Sequence, residues 1–312
     1  MKVAIFGSGF GLYGYLPALL TGCGAEVVLP ERYKARLEGR SDVRHLVDRI
    51  EWVEDESAAL DRAGAVIVSQ RPADQVRWLA KILPRAEPNR ILLEKPLAPD
   101  PLQARDVFQQ ARNSGKRIRI GYTFHYAPWA KRFAQALERS RPDCEFTINW
   151  RFRAHHYATG ASNWKRFVSA GGGALRFYGI HLIALLAEHG YNDALWSSIA
   201  AMRPDEAEIW EAALVGPGLP TCRVVVDSNS AHNSFSVAAG PDESPFIGLE
   251  EPFEEVERHG LFDPRVDVVA RLCREFLAGG APLLSWYEDS IVLWSKVENQ
   301  TKILVRSNHD QN

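Results

Sequence analysis

The sequence has little cysteine and no paired cysteine motif. Its four cysteines, Cys23, Cys144, Cys222 and Cys273, lie far apart in 312 residues, with no CxxC and no metal-like spacing. That pattern speaks against a disulfide framework or a metal site and sets the expectation of free thiols in a reducing cytoplasm. An excess of one charge sign is missing too: 37 Lys and Arg stand against 39 Asp and Glu, a formal net charge of −2. No global field draws such a chain onto nucleic acid or an anionic membrane. Nowhere do eighteen apolar residues run together, which argues against a membrane span. Met1-Lys2-Val3-Ala4-Ile5-Phe6 runs straight into a glycine turn, so it is expected as a strand rather than a signal sequence. Internal repeats and low-complexity tracts are absent. What remains is the composition of a cytoplasmic globular protein, 46% hydrophobic and 24% charged, long enough for two domains.

The first half alternates strand and helix. Val3–Phe6 ends at Gly7-Ser8-Gly9-Phe10-Gly11-Leu12 and a helix-like stretch follows through Leu20, the context that a dinucleotide fingerprint requires. Gly7 allows the tight turn, and Gly9 lets backbone N–H groups approach a pyrophosphate at the helix N-terminus. The third glycine of that pattern is Leu12 here, unless Gly11 takes over its duty. A second strand, Glu26–Leu29, exits at Pro30-Glu31-Arg32. Glu31 stands where an acid grips a ribose hydroxyl, whereas Arg32 suits a 2′-phosphate, so the two argue in opposite directions. Ala65–Val68 is a third buried strand, leading through Ser69-Gln70-Arg71-Pro72 into apolar residues at helical spacing that continue to Leu83. Ile91-Leu92-Leu93 then runs into Glu94-Lys95-Pro96-Leu97, which places Lys95 at the carboxyl edge of a sheet on a stiff turn. A helix from about Pro101 to Ser114, capped by Asp100, and a strand Ile118–Tyr122 close the half. The fold class read from this order is α/β, a parallel doubly wound sheet over residues 1–122.

Residues 123–312 read differently. A helix over His125–Arg139 precedes strands at Cys144–Phe152, Ala194–Met202, Ile209–Val215, Thr221–Val226 and Ser234–Ala238, with few helices between them. Such a run predicts an α+β domain with a largely antiparallel sheet. Within it, Gly171-Gly172-Gly173-Ala174-Leu175 opens a helix on which Ala174, Tyr178, His181 and Leu185 share one face by the three-and-four spacing.

Assembled, these stretches resemble the glucose–fructose oxidoreductase, inositol dehydrogenase and rhizopine-catabolism (Gfo/Idh/MocA) family over nearly the whole chain. The resemblance rests on Gly7-x-Gly9-Phe10-Gly11 with Leu16-Pro17-Ala18-Leu19, on Glu94-Lys95-Pro96-Leu97, on Gly171-Gly172-Gly173-Ala174-Leu175 with Gly179 and His181, and on Asn163-Trp164-Lys165-Arg166. It implies an N-terminal Rossmann domain holding NAD or NADP through Gly7, Gly9, Phe10, Gly11, Leu12, Glu31, Arg32, Ser69, Gln70, Arg71, Gln75, Glu94 and Lys95. It also implies a C-terminal domain whose open sheet covers the active site and forms a homodimer or homotetramer. Lys95 and His181, with Tyr178 assisting, would serve hydride transfer to or from a carbohydrate-like alcohol or ketone. Tyr122, His125, Trp164, Lys165 and Arg176 would line the substrate. Hydride transfer changes the charge on the substrate oxygen, so a proton donor or acceptor must sit there.

The chain departs from the family at chemical positions. The aspartate often found four residues before the histidine is Phe177, and an acid three residues after it is Ala184. The family's Pro-Pro reads Arg71-Pro72, and a frequent histidine is Gln75. Either Tyr178 takes part of the proton work, or the chemistry differs, as in relatives that reduce imines, or the chain is a non-catalytic NAD(P)-binding sensor.

Overall fold

The computed structural model describes residues 1–201, 203, 205–240, 244–257, 260–279 and 283–305. Two compact units divide the chain. The first comprises Met1–Leu97, Asp106–Tyr126 and Val256–Leu284; the second comprises Ala98–Arg105, Ala127–Glu255 and Ser285–Asn312. A late stretch of chain belongs with the first unit, and no local pattern in the sequence announces it.

In the first unit six strands form one parallel sheet: β1 (Lys2–Phe6), β2 (Glu26–Pro30), β3 (Ile50–Val53), β4 (Ala65–Val68), β5 (Arg90–Leu93) and β6 (Arg117–Ile120). Their order is β3-β2-β1-β4-β5-β6, the doubly wound arrangement. β4, and β1 from Val3 onward, are continuous buried apolar runs, as strands covered on both faces must be. β3 is the strand that the sequence did not reveal; Ile50-Glu51-Trp52-Val53 is short, at the edge, and buried only at its ends. Helices Pro72–Ile82 and Pro101–Asn113 follow β4 and β5 where the apolar spacing placed them. Asp100 caps the second of these, its Oδ1 accepting the N–H groups of Leu102 (3.0 Å) and Gln103 (2.9 Å). The late helix Val266–Ala278 packs on the helical stretch that follows the glycine turn, so closely that a side chain at Gly22 would stand 2.6 Å from Ala270 Cβ.

The second unit holds seven strands: β7 (Glu145–Arg153), β8 (Asp193–Ala201), β9 (Ile209–Val215), β10 (Thr221–Asp227), β11 (Asn229–Ala239), β12 (Ile247–Leu249) and β13 (Thr301–Val305). Their order is β12-β11-β7-β10-β9-β8-β13; β7 with β10 and β8 with β13 are parallel and the other pairs antiparallel. The largely antiparallel expectation holds. Met202, the last residue of one expected strand, lies outside the described residues. The helix over Pro128–Arg139 forms as read, preceded by a short 3₁₀ turn over Thr123–Tyr126. Buried tryptophans spend their indole N–H groups inside the unit, Trp129 on Pro252 O (3.0 Å), Trp210 on Ser197 Oγ (3.1 Å) and Trp286 on Ala184 O (2.7 Å). Val168–Glu188 is long and apolar enough to cross a membrane by composition, yet 78% of its apolar window is buried inside the protein. Core packing accounts for that apolarity. All four cysteines are free.

Beside the end of β7, His156 is 3% exposed and its Nε2 has no hydrogen-bond partner. Burial, reinforced by the charges of Lys165 and Arg166, lowers its pKa to about 4. An unfolded histidine titrates near 6.5, so the folded state keeps His156 neutral while the unfolded state takes up a proton. Its contribution is complete above about pH 6.5 and is lost as pH falls toward 4. Urea unfolding at pH 7 and pH 4.5 is expected to show His156→Gln losing on the order of 2 kcal/mol less stability across that range than the wild type.

Candidate active site

In the first unit the carboxyl ends of β1, β4 and β5 bring three turns together at one sheet edge. The order of strands reverses between β1 and β4, where such sheets bind ligands. Gly7 leaves β1 at φ 129°, and a Cβ there would lie 1.9 Å from Ser69 O, so no side chain fits. Gly9 is the opposite case: a Cβ would meet nothing within 4 Å, leaving open space above the backbone where the helix begins. Gly11 stands 3.0 Å from Ile5 Cγ2 by the same measure, which is the close helix–strand approach that the third fingerprint glycine provides. Gly11 takes over that duty, while Leu12 is fully buried core. Phe10 lies under the guanidinium of Arg265 (4.4 Å), which Asp263 holds through two bonds of 2.8 Å.

The exit of β2 carries its charges in pairs. Glu31 is exposed and stands 3.5 Å from Lys34 Nζ. Arg32 donates to the buried carboxylate of Glu56, which also accepts the Tyr33 hydroxyl (3.0 Å); that hydroxyl accepts the Gly7 N–H (3.1 Å).

The Glu94–Leu97 turn is held by Gln75. Its side chain is fully buried; Oε1 accepts the Glu94 N–H (2.7 Å), and Nε2 donates to Glu94 O (2.7 Å) and Leu97 O (3.1 Å). Gln75 thus reaches the Lys95 turn itself. Ser69 and Gln70 are half-buried at the β4 exit and Arg71 is exposed. The Glu94 carboxylate accepts the Tyr15 hydroxyl on Oε1 (2.5 Å) and the Lys95 N–H on Oε2 (3.2 Å). Gly121 makes room for that pair, since a Cβ there would approach Tyr15 Oη to 2.8 Å. Burial raises the pKa of Glu94 against the lowering pull of the Lys95 charge, and it drives Tyr15 well up. Tyr122 is buried beyond β6 and His125 is half-buried in the 3₁₀ turn.

The second unit carries the other candidates. Residues Ala174–Gly179 form a wide π-type turn before the regular helix Ile180–Glu188. The wider pitch shifts Tyr178 relative to His181 from the face that 3.6-residue spacing gives. His181 is 6% exposed. Tyr178 packs edge-on against Phe152 (4.7 Å), Trp150 (5.7 Å) and Phe177 (4.8 Å), and Trp164 meets Phe177 at 5.2 Å. Phe177 therefore fills an aromatic cluster, with Lys165 Nζ 4.9 Å above its ring. Arg176 donates to both Glu298 oxygens (2.7 Å each), to Pro99 O (2.9 Å) and to Val168 O (3.0 Å). Those bonds tie Arg176 to Glu298 and to the backbone at Pro99 and Val168.

Sequence reasoning missed Tyr15, Tyr33, Glu56 and Arg265. Tyr33 follows the Glu31-Arg32 exit, which was read, whereas Glu56 follows β3, which was not. Arg265 has no local signal at all.

No family model and no curated protein matches the chain. Solved structures share its fold. The 3-ketoreductase KijD10 from Actinomadura kijaniata, in complex with NADP and TDP-benzene, aligns at TM-score 0.71 and 19% identity, over 97% of this chain and 98% of that one. The WlbA (WbpB) dehydrogenase from Thermus thermophilus, in complex with NAD and UDP-GlcNAcA, aligns at TM-score 0.67 and 15% identity, over 98% and 97%.

Replacing Gln75 removes the bonds that fix the Lys95 turn and strands buried polar groups. Gln75→Leu is expected to lower the unfolding free energy by about 2–3 kcal/mol, read from urea denaturation.

Proposed function

We propose that this chain is an NAD(P)-dependent oxidoreductase of the Gfo/Idh/MocA type, acting on a carbohydrate-like alcohol or ketone. One observation carries the reading: in the first unit, the glycine turn and the Gln75-held turn of Lys95 stand at the same carboxyl edge, at the switch point of the sheet. The open space over Gly9 and the glycine backbone beside it suit a pyrophosphate at the helix start. Gly7, Gly9 and Gly11 would hold the dinucleotide, with Ser69, Gln70 and Arg71 at the neighbouring exit. The bound nicotinamide would supply or take the hydride. Lys95 would then stabilise the charge that develops on the substrate oxygen, and His181 would be the acid or base, because imidazole titrates near neutral pH. The substrate class is a sugar, cyclitol or nucleotide-linked sugar; the last is supported by the ligands of the two fold neighbours. The second sheet, with Leu195 and Ile303 exposed, would form the interface of a homodimer or homotetramer.

A second reading, a sensor that binds the dinucleotide without turnover, is favoured by Phe177, which seats an aromatic ring where relatives carry an acid.

Titration with NADH and NADPH, followed by nicotinamide fluorescence, tests the cofactor site. Turnover on a panel of keto-sugars and nucleotide-linked keto-sugars separates the two readings. Lys95→Met and His181→Ala are each expected to slow turnover by roughly two to four powers of ten while NADH affinity stays within about threefold. Absence of binding would sink the reading, and binding without turnover across the panel would favour the sensor. Near-normal turnover in Lys95→Met would remove the lysine from the chemistry.

A further inference from the structure

We propose that Glu56 sets the choice between NAD and NADP, by holding Arg32 away from the place where a 2′-phosphate would need a cation. The inference rests on the dinucleotide reading above and concerns the adenosine end of that site.

In a doubly wound fold, the ribose of the adenosine half lies at the exit of the second strand, here Pro30 onward. Two cations stand at this exit, Arg32 and Lys34. Neither is uncommitted. Arg32 pairs with Glu56, and Lys34 stands 3.5 Å from Glu31 and 5.8 Å from the Trp52 ring centre. The two pairs differ in depth. The Glu31 and Lys34 side chains are 57% and 39% exposed, so their contact is a weak surface pair that water and salt loosen readily. The Glu56 side chain is 10% exposed, whereas that of Arg32 is 59% exposed. A buried carboxylate therefore anchors a largely exposed guanidinium, which also donates to the Tyr33 hydroxyl (3.3 Å) and lies 5.0 Å from the Tyr33 ring centre.

Glu56 is fixed from a second side. The Tyr33 hydroxyl donates to its Oε1 (3.0 Å) and accepts the Gly7 N–H (3.1 Å), so acid, phenol and glycine turn form one chain of bonds. The acid cannot follow Arg32 outward without breaking it. If Arg32 swung to a phosphate, Glu56 would be left as a buried anion without its cation, and that cost opposes the swing. The carboxylate also places a negative charge close to the strand exit, which disfavours a dianionic phosphate directly. A ribose hydroxyl meets neither penalty. Glu56, 24 residues along the chain from Arg32, thus decides the balance that Glu31 and Arg32 leave open in the sequence.

The test is a fluorescence titration of the full-length chain with NADH and with NADPH at fixed ionic strength, using wild type, Glu56→Gln, Arg32→Leu and the double variant. Wild type is expected to bind NADH more tightly than NADPH. Glu56→Gln, which keeps an oxygen to accept from Tyr33, should move the NADPH-to-NADH affinity ratio roughly tenfold or more toward NADPH. Arg32→Leu alone should change that ratio by less than about threefold, and in the Glu56→Gln background it should cancel most of the gain. Glu56→Ala gives the same readout should Glu56→Gln fold poorly, with thermal melting as the control. An unchanged ratio in the Glu56 variants while both cofactors still bind overturns the inference and leaves the dinucleotide site standing. So does a wild type that prefers NADPH. A wild type that binds neither cofactor overturns the dinucleotide reading and this inference with it.

Discussion

A side-chain amide with no access to water governs where Lys95 stands. Gln75 pairs with the backbone of Glu94 in both directions and reaches on to Leu97, so helix Pro72–Ile82 and the β5 exit move as one piece. In the interior an unmade bond of this kind costs more than a made one contributes, which leaves the turn a single low-energy arrangement. Everything proposed for Lys95 depends on that arrangement. A lysine on a loose loop has neither a fixed direction nor a fixed degree of hydration.

The acids of the first unit follow one rule: each buried carboxylate is met by a donor held in place by something else. Glu94 accepts from Tyr15, whose own position is set in the helix after the glycine turn; Glu56 accepts from Tyr33, which is tied to Gly7. The glycine turn is thereby linked to two acids on two different strand exits. In the second unit the corresponding devices are full ion pairs, Arg166 with Glu206 and Arg176 with Glu298, both with little exposed side chain. Such pairs resist the removal of either partner, because the survivor would stay buried and charged. They fix the segment between β7 and the glycine-rich helix, which carries Trp164 and Lys165.

Phe177 sets the apolar character of its neighbourhood. Its ring stacks edge-on with those of Trp164 and Tyr178 and lies under the Lys165 ammonium. An apolar wall with one cation nearby suits flat, electron-rich or anionic groups.

Much of the fold was legible because it is local. Apolar runs of four, glycine turns, the Asp100 cap and the change from βα alternation to consecutive strands are all set by neighbours within a few residues. β3 escaped since an edge strand half-exposed over Ile50–Val53 has no run to read. The candidate site divides the same way. Gly7, Gly11 and the Glu94-Lys95-Pro96 turn could be named from spacing, because strand ends deliver their next residues to a known edge. The duty of Gln75, the capture of Arg32 by Glu56, the commitment of Arg176 to Glu298 and the return of Val256–Leu284 to the first unit could not. The sequence by itself determined which residue types stand at the sheet edge. Only the tertiary structure decided which of their charges and hydrogen bonds are already spent, because partners separated by tens to hundreds of residues are brought together by packing, and no local pattern records that packing.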